Sequence, residues 1–256
     1  MRVAITREVS PSIVNCELTH LERQPIDVDL AIAQHAAYEA ALAELGCTVR
    51  RLDVEPDLPD SVFVEDMALV LDEVALILRS GAPSRRPEAA SVAAALGEYR
   101  ELRSLTEPAT LDGGDVLRLG RELYIGVSSR STTEGIRQVE SYVKPFGYRV
   151  HPVGITGCLH LKSAVTQVGE DLLLVNPDWV DGRLFTGMEC IQVAPGEPNA
   201  ANALILSEGV IYPVAHRATA RKLEQHGVRL RAVDVSEVMK AEGAVTCCSL
   251  IFHAEE

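Results

Sequence analysis

Two adjacent cysteines, Cys247 and Cys248, stand before the apolar run at 249–252 and after the flexible stretch Glu242-Gly243-Ala244. A thiol at the mouth of a strand can be exposed and activated as a nucleophile, whereas one inside the strand is inert. Free cysteine is among the most buried residue types, so a lone one would be read as core. Neighbours on an alternating strand point opposite ways, so if one thiol enters the core its partner faces away from it. His160, between Leu159 and Leu161, would ordinarily be a satisfied interior imidazole. Placed opposite a cysteine it becomes an acid/base candidate.

Acids and bases are set around these groups. Asp112 and Asp115 flank Gly113-Gly114. The pair of glycines reads as a turn, Asp115 as the acid that caps backbone amides, and Asp112 as free to hold His160 in its useful tautomer. Asp60, Glu65 and Asp66 lie around the apolar run Val62-Phe63-Val64, where a buried strand is expected. Buried acids are costly without partners, and a cationic ligand would supply one. Arg85 and Arg130 leave the first and second hairpins at equivalent places, as expected of a clasp on a carboxylate.

The elements that must position these groups repeat. Hairpin-like stretches open near Asp66, Asp115, His160, Asn202 and Cys247, at steps of 49, 45, 42 and 45 residues. A fixed period of this size reads as a closed array of supersecondary units. The first unit pairs Ala68-Leu69-Val70-Leu71 with Val74-Ala75-Leu76-Ile77-Leu78 across Asp72-Glu73, and a helix follows over 87–102. The second repeats this plan, with a helix over 132–146 ending at Gly147 and a strand over 148–153. In the third the strands are expected at 163–168 and 172–175, and the turn-rich stretch 176–187 leaves its helix reduced or missing. The fourth places a helix near 218–226 and a strand at 229–233. The fifth is split between the chain ends: 249–252 would pair with 3–5, followed by a helix over 28–45 and a strand over 47–52. Such pairing would close the ring and leave no open sheet edge. An ordinary mixed α/β domain with evenly spaced hairpins is the plainer alternative.

Length and charge narrow the function. The chain has 256 residues, 47% of them hydrophobic, enough to bury a large core as one domain over 1–256. With 37 acids against 24 bases it has no basic patch for nucleic acid. No apolar run approaches a membrane span, and residues 1–6 read as a buried strand rather than a secretion signal. Six cysteines without paired spacing predict reduced thiols and a cytoplasmic protein. Neither a C-x-x-C pair nor His-Glu-x-x-His is present, so no metal site is expected.

Several stretches together resemble the dimethylarginine dimethylaminohydrolases of the guanidine-modifying (pentein) superfamily. They are the run from Pro59 to Asp66, Gly81-Ala82-Pro83-Ser84-Arg85-Arg86, Ala109 to Leu117, Leu159-His160-Leu161-Lys162-Ser163, Ala200-Ala201-Asn202 and Thr246-Cys247-Cys248-Ser249. They occur in order over nearly the whole chain. The resemblance implies a five-bladed α/β-propeller of ββαβ repeats, with terminal strands closing the ring. It implies Cys247, rather than Cys248, as nucleophile, His160 as acid/base and Asp112 as orienting carboxylate, where some members have glutamate. By the same resemblance Asp66 grips the guanidinium with support from Glu65, Arg85 and Arg130 hold the α-carboxylate, and Asp60 holds the α-amino group. Leu18 falls in a mobile lid around 10–20. The implied reaction converts Nω-methylated arginines to citrulline and dimethylamine or methylamine, without a cofactor. The small substrate is the one partner implied. An arginine deiminase, a silent amino-acid binder and a thiol protease are the competing readings. The protease fits worst, because it gives no reason for charges set to hold both ends of a free amino acid.

Overall fold

The structure, a computed structural model, describes residues 1–254. Its strands and helices follow one another as a repeated hairpin, crossover and parallel strand. The chain opens with β1 (Arg2–Arg7), α1 (Val28–Glu44) and β2 (Thr48–Leu52). Next come β3 (Ala68–Val70), β4 (Val74–Ile77), α2 (Ala89–Leu96) and β5 (Glu101–Ser104), then β6 (Val116–Leu119), β7 (Glu122–Val127), α3 (Thr133–Val143) and β8 (Arg149–Gly154). The third repeat has a one-turn α4 (Leu161–Ala164), β9 (Val165–Gly169), β10 (Leu172–Val175) and β11 (Glu189–Gln192). The fourth has β12 (Leu204–Leu206), β13 (Gly209–Pro213), α5 (Arg217–Gln225) and β14 (Leu230–Val233). A short α6 (Ser236–Met239) leads to β15 (Leu250–His253).

Five three-stranded sheets result, in the orders β15-β1-β2, β3-β4-β5, β6-β7-β8, β9-β10-β11 and β12-β13-β14. In each, the first two strands are antiparallel and the third joins the middle one in parallel. A parallel partner requires a long crossover. Four repeats use a helix, and the third uses residues 176–188 with one 3-10 turn at Gly182–Leu184. β15 pairs with β1 in the register Val3 to Phe252 and Ile5 to Leu250, so the two chain ends build one blade. This is the five-bladed α/β-propeller that the resemblance implied, and its repeats follow the period read from the sequence.

Local sequence explains the helix limits. Asp27 and Thr132 precede α1 and α3, and their side chains accept the N–H groups of Leu30 and Gly135. After α3 a 3-10 turn, Lys144–Phe146, ends at Gly147 in the left-handed region, φ 79°. Apolar clusters fill the space between blades. One sets Leu76 of β4 against Leu123 and Ile125 of β7 and Val139 of α3. Each such side chain, fully buried, contributes about 1.5–3 kcal/mol.

Three expectations need correction. The helix expected over 87–102 stops at Leu96, and Glu101–Ser104 is instead the third strand of its blade, paired with Val74–Ile77. A four-residue strand is too short to carry a period that distinguishes it from a helix end. The ring closes, yet each sheet keeps an outer edge strand, because five separate sheets surround the axis. Charged residues such as Arg50 and Arg51 on β2 and Arg103 on β5 guard those edges. Lastly, the hairpins do not begin directly as strands at the chemical residues. Helical turns at Val64–Met67, Gly113–Asp115, Leu161–Ala164 and Pro198–Ala201 come first.

Candidate active site

Those turns, with a fifth at residues 245–248, are tied to one another in a ring. Glu65 N–H donates to the Cys247 carbonyl (3.1 Å) and Gly114 N–H to Asp66 (3.0 Å). Leu161 N–H donates to Asp115 (2.9 Å), the Asn202 side-chain amide to the Lys162 carbonyl (3.0 Å), and Thr246 N–H to Asn202 Oδ1 (3.2 Å). Each link joins one repeat to the next. Asp115 has the capping role expected of it, and its other oxygen accepts the hydroxyls of Ser128 and Ser131.

The diglycine is more than a turn. A Cβ on Gly113 would sit 1.9 Å from the Glu65 carbonyl oxygen, and one on Gly114 would sit 2.5 Å from His160 Nδ1. Glycine lets this backbone pass between the neighbouring turn and the imidazole.

Cys247, His160, Asp66, Asp60, Arg85 and Arg130 line one cavity of about 20 Å³, under Glu17 and Glu242. Asp112, fully buried, lies behind the imidazole: its Oδ2 is 3.3 Å from His160 Nε2, and its Oδ1 accepts the Gly81 N–H (2.9 Å). Cys247 is half-buried, while Cys248 is packed into the apolar cluster with Tyr38 and Val245. The thiols do diverge, but from a turn and not from an extended strand.

Charge dominates the cavity. Burial opposes protonation of His160, but the Asp66 charge, the Asp112 contact and Asp115 hold its pKa up at about 9. Burial likewise opposes ionisation of Asp66, and the charges of His160 and Arg85 hold its carboxyl well below the usual range. Burial, then Glu65 and Asp66, push the Cys247 thiol up to about 12. At neutral pH these shifts favour a protonated thiol, an imidazolium and a carboxylate in the cavity.

Other expected site residues are placed differently. Arg85 is an interior strut: Nη1 pairs with Asp66 (2.7 Å), Nε and Nη2 with Glu88, and Nη2 with the carbonyls of Asp60 and Phe63. Arg130 is less committed, donating to the Thr19 hydroxyl (3.0 Å) with Asp112 at 3.8 Å. Glu65 does not line the cavity. It pairs with Lys162, and both face a separate cavity of about 490 Å³. Its buried carboxylate is thus met by a lysine of the chain. Leu18 packs half-buried against the cluster around Tyr38 and does not line the cavity; its neighbour Glu17 does.

Lys162, Glu88 and Glu242 escaped the sequence reading. Glu88 lies three residues after Arg85, a helical spacing that signals an ion pair. Glu242 gave no local signal. It has φ 59°, the one positive value among described non-glycine residues. Its carboxylate accepts the N–H groups of Thr19, His20 and Leu21 at 2.5–3.0 Å. Asp60 accepts the Glu17 N–H (3.0 Å), so the loop is held down over the cavity. With the loop in this place the space, about 20 Å³, is too small for an amino acid. Replacing Glu242 by glutamine halves the acceptor capacity. Hydrogen exchange at Thr19–Leu21 should quicken about tenfold, with the melting temperature nearly unchanged. Unaltered exchange at those amides would show that Glu242 does not hold the loop.

Comparison with known proteins places this geometry. The family described as "N,N dimethylarginine dimethylhydrolase, eukaryotic" matches residues 17–185. The N(G),N(G)-dimethylarginine dimethylaminohydrolase of Streptomyces coelicolor is 37% identical over 96% of this chain and 95% of its own length. A cysteine-to-serine mutant of the Pseudomonas aeruginosa enzyme, complexed with citrulline, superposes with a TM-score of 0.93 at 32% identity, covering 97% of this chain and 98% of that one. A histidine-to-glycine form of a dimethylarginine dimethylaminohydrolase, an adduct with S-methyl-L-thiocitrulline, gives the same TM-score and identity over 98% of this chain and all of the other. The fold is that of a pentein, and the class is that of hydrolases acting on C–N bonds of guanidino groups. Within that class the chain belongs to the dimethylarginine dimethylaminohydrolase family.

Proposed function

We propose that this protein hydrolyses Nω-methylated arginines to citrulline and dimethylamine or methylamine through a covalent intermediate on Cys247. The observation that carries this reading is the sharing of one cavity by Cys247, His160, Asp66 and Arg130, in surroundings that favour a protonated imidazole and an ionised Asp66.

The charges set the order of events. The substrate guanidinium docks against Asp66, and its positive charge offsets the field of Asp66 and Glu65 that keeps Cys247 protonated. The thiol then releases its proton to solvent, and the thiolate attacks the guanidinium carbon. His160, already protonated, donates to the methylated nitrogen of the tetrahedral adduct, because an amide anion cannot leave. The C–N bond breaks, the amine departs, and an S-alkylthiouronium remains. His160, now neutral, takes a proton from water as the water adds to the same carbon. The hydroxyl of this second adduct gives its proton to the departing sulfur as the C–S bond breaks, which restores the Cys247 thiol and releases citrulline. Asp112 steadies the ring through both roles. Arg130 takes the α-carboxylate once the lid releases it, and Asp60 takes the α-amino group. Arg85 acts mainly through Asp66, whose orientation it holds. Relatives support the reading, since one is complexed with citrulline and another is an adduct with a thiocitrulline.

The test is product analysis with asymmetric dimethylarginine, monomethylarginine and arginine. Equal amounts of citrulline and dimethylamine are expected from the first. Citrulline and ammonia from arginine alone would assign the site to a deiminase instead.

A further inference from the structure

Beside the catalytic cavity lies a much larger one, about 340 Å³, sharing Leu159, Glu242 and Gly243 with it. That volume falls in the range of sites for small organic molecules. Its walls are unlike those of the catalytic cavity. The indole of Trp179, with Pro213, Met239 and Leu21, makes an apolar lining. Gly157, at φ 71°, brings backbone under the indole, where a Cβ would lie 2.7 Å from Nε1. Ser163, Asn199, Asn202 and Glu242 add polar edges, and one further polar group has no partner in the protein: His216, 8% exposed, lines the space and its Nε2 makes no hydrogen bond. Burial lowers the pKa of His216, so the ring is neutral and offers a hydrogen bond rather than a charge.

We propose that this cavity is a separate binding site for a neutral, flat, mostly apolar small molecule with one hydrogen-bonding group for His216, and that its occupant holds the lid closed. The second half follows from position. His20 and Leu21, whose N–H groups are bound by Glu242, form part of the wall. A ligand touching the lid only in its closed state shifts the loop toward that state. The site lies outside the proposed reaction, and absence of citrulline formation would leave it standing.

The single tryptophan of the chain is a built-in reporter. Titration with phenol should change Trp179 fluorescence saturably, with toluene binding more weakly. His216→Phe should weaken phenol about tenfold and leave toluene unchanged. Phenol should also slow hydrogen exchange at Thr19–Leu21, and it should bind alongside saturating citrulline. Linear, unsaturable quenching would overturn the proposal. Displacement of phenol by citrulline would also overturn it, by showing that the space belongs to the substrate cavity. Unchanged lid exchange with phenol bound would remove the coupling to the lid. Should His216→Phe fail to fold, Met239→Phe narrows the same cavity and should abolish the saturable signal.

Discussion

Serine at position 247 is expected to lower citrulline formation from asymmetric dimethylarginine at least about a thousandfold, leaving the fold and substrate binding in place. A hydroxyl is far less ionised than a thiol, and burial beside Glu65 and Asp66 already disfavours ionisation at this position. Cys248→Ser should behave oppositely. It puts a hydroxyl among Tyr38, Val245 and their neighbours, costing about 1–3 kcal/mol of stability, and turnover should persist. Loss of turnover in Cys248→Ser with full activity in Cys247→Ser would exchange the roles of the two thiols. The free enzyme should also alkylate slowly with iodoacetamide at pH 7. Because the Cys247 pKa is raised, the rate should climb as pH rises through 9 toward 12. A plateau below pH 8 without substrate would contradict the field assigned to Glu65 and Asp66.

Arg85→Ala is expected to destabilise the protein by about 3–5 kcal/mol, lowering its melting temperature on the order of 10 °C. The reason is what the guanidinium leaves behind. Asp66 and Glu88, both nearly inaccessible, would lose their shared cation, and the carbonyls of Asp60 and Phe63 would lose a donor. Arg130→Ala should act differently, raising KM about tenfold or more with a much smaller thermal effect, since its protein contacts are one hydroxyl and a distant carboxylate. Equal thermal shifts in the two variants would show that Arg85 is not the strut described above. The comparison separates two arginines that looked equivalent in the sequence.

That equivalence failed for a physical reason. Arg85 and Arg130 occupy matching places after their hairpins, and the repeat reproduces backbone position. It does not reproduce the neighbours: Glu88 follows Arg85 in its own 3-10 turn, whereas Arg130 meets the lid through Thr19. The same limit applies to the acids. Glu65 and Asp66 are consecutive in one turn and face opposite cavities, the first toward Lys162 and the second toward Arg85 and His160.

The amino-acid order determined the architecture and the chemical cast. Apolar runs with polar turns at a steady period specify blades, because each hairpin can bury its face only against a neighbour, and the pairing of 249–252 with 3–5 follows from that period. Cys247 and His160 stood out as candidates because each lies where a repeat opens, and repeats arranged about an axis bring their openings together. Tertiary structure alone decided which charges pair and what covers them. The Glu65 to Lys162 pair spans 97 residues and the bonds from Glu242 to the lid span more than 220, and no local pattern encodes contacts across such distances. Side-chain direction within a single turn likewise depends on packing from three repeats at once, which is why neighbouring residues of one type, Cys247 and Cys248, end with opposite fates.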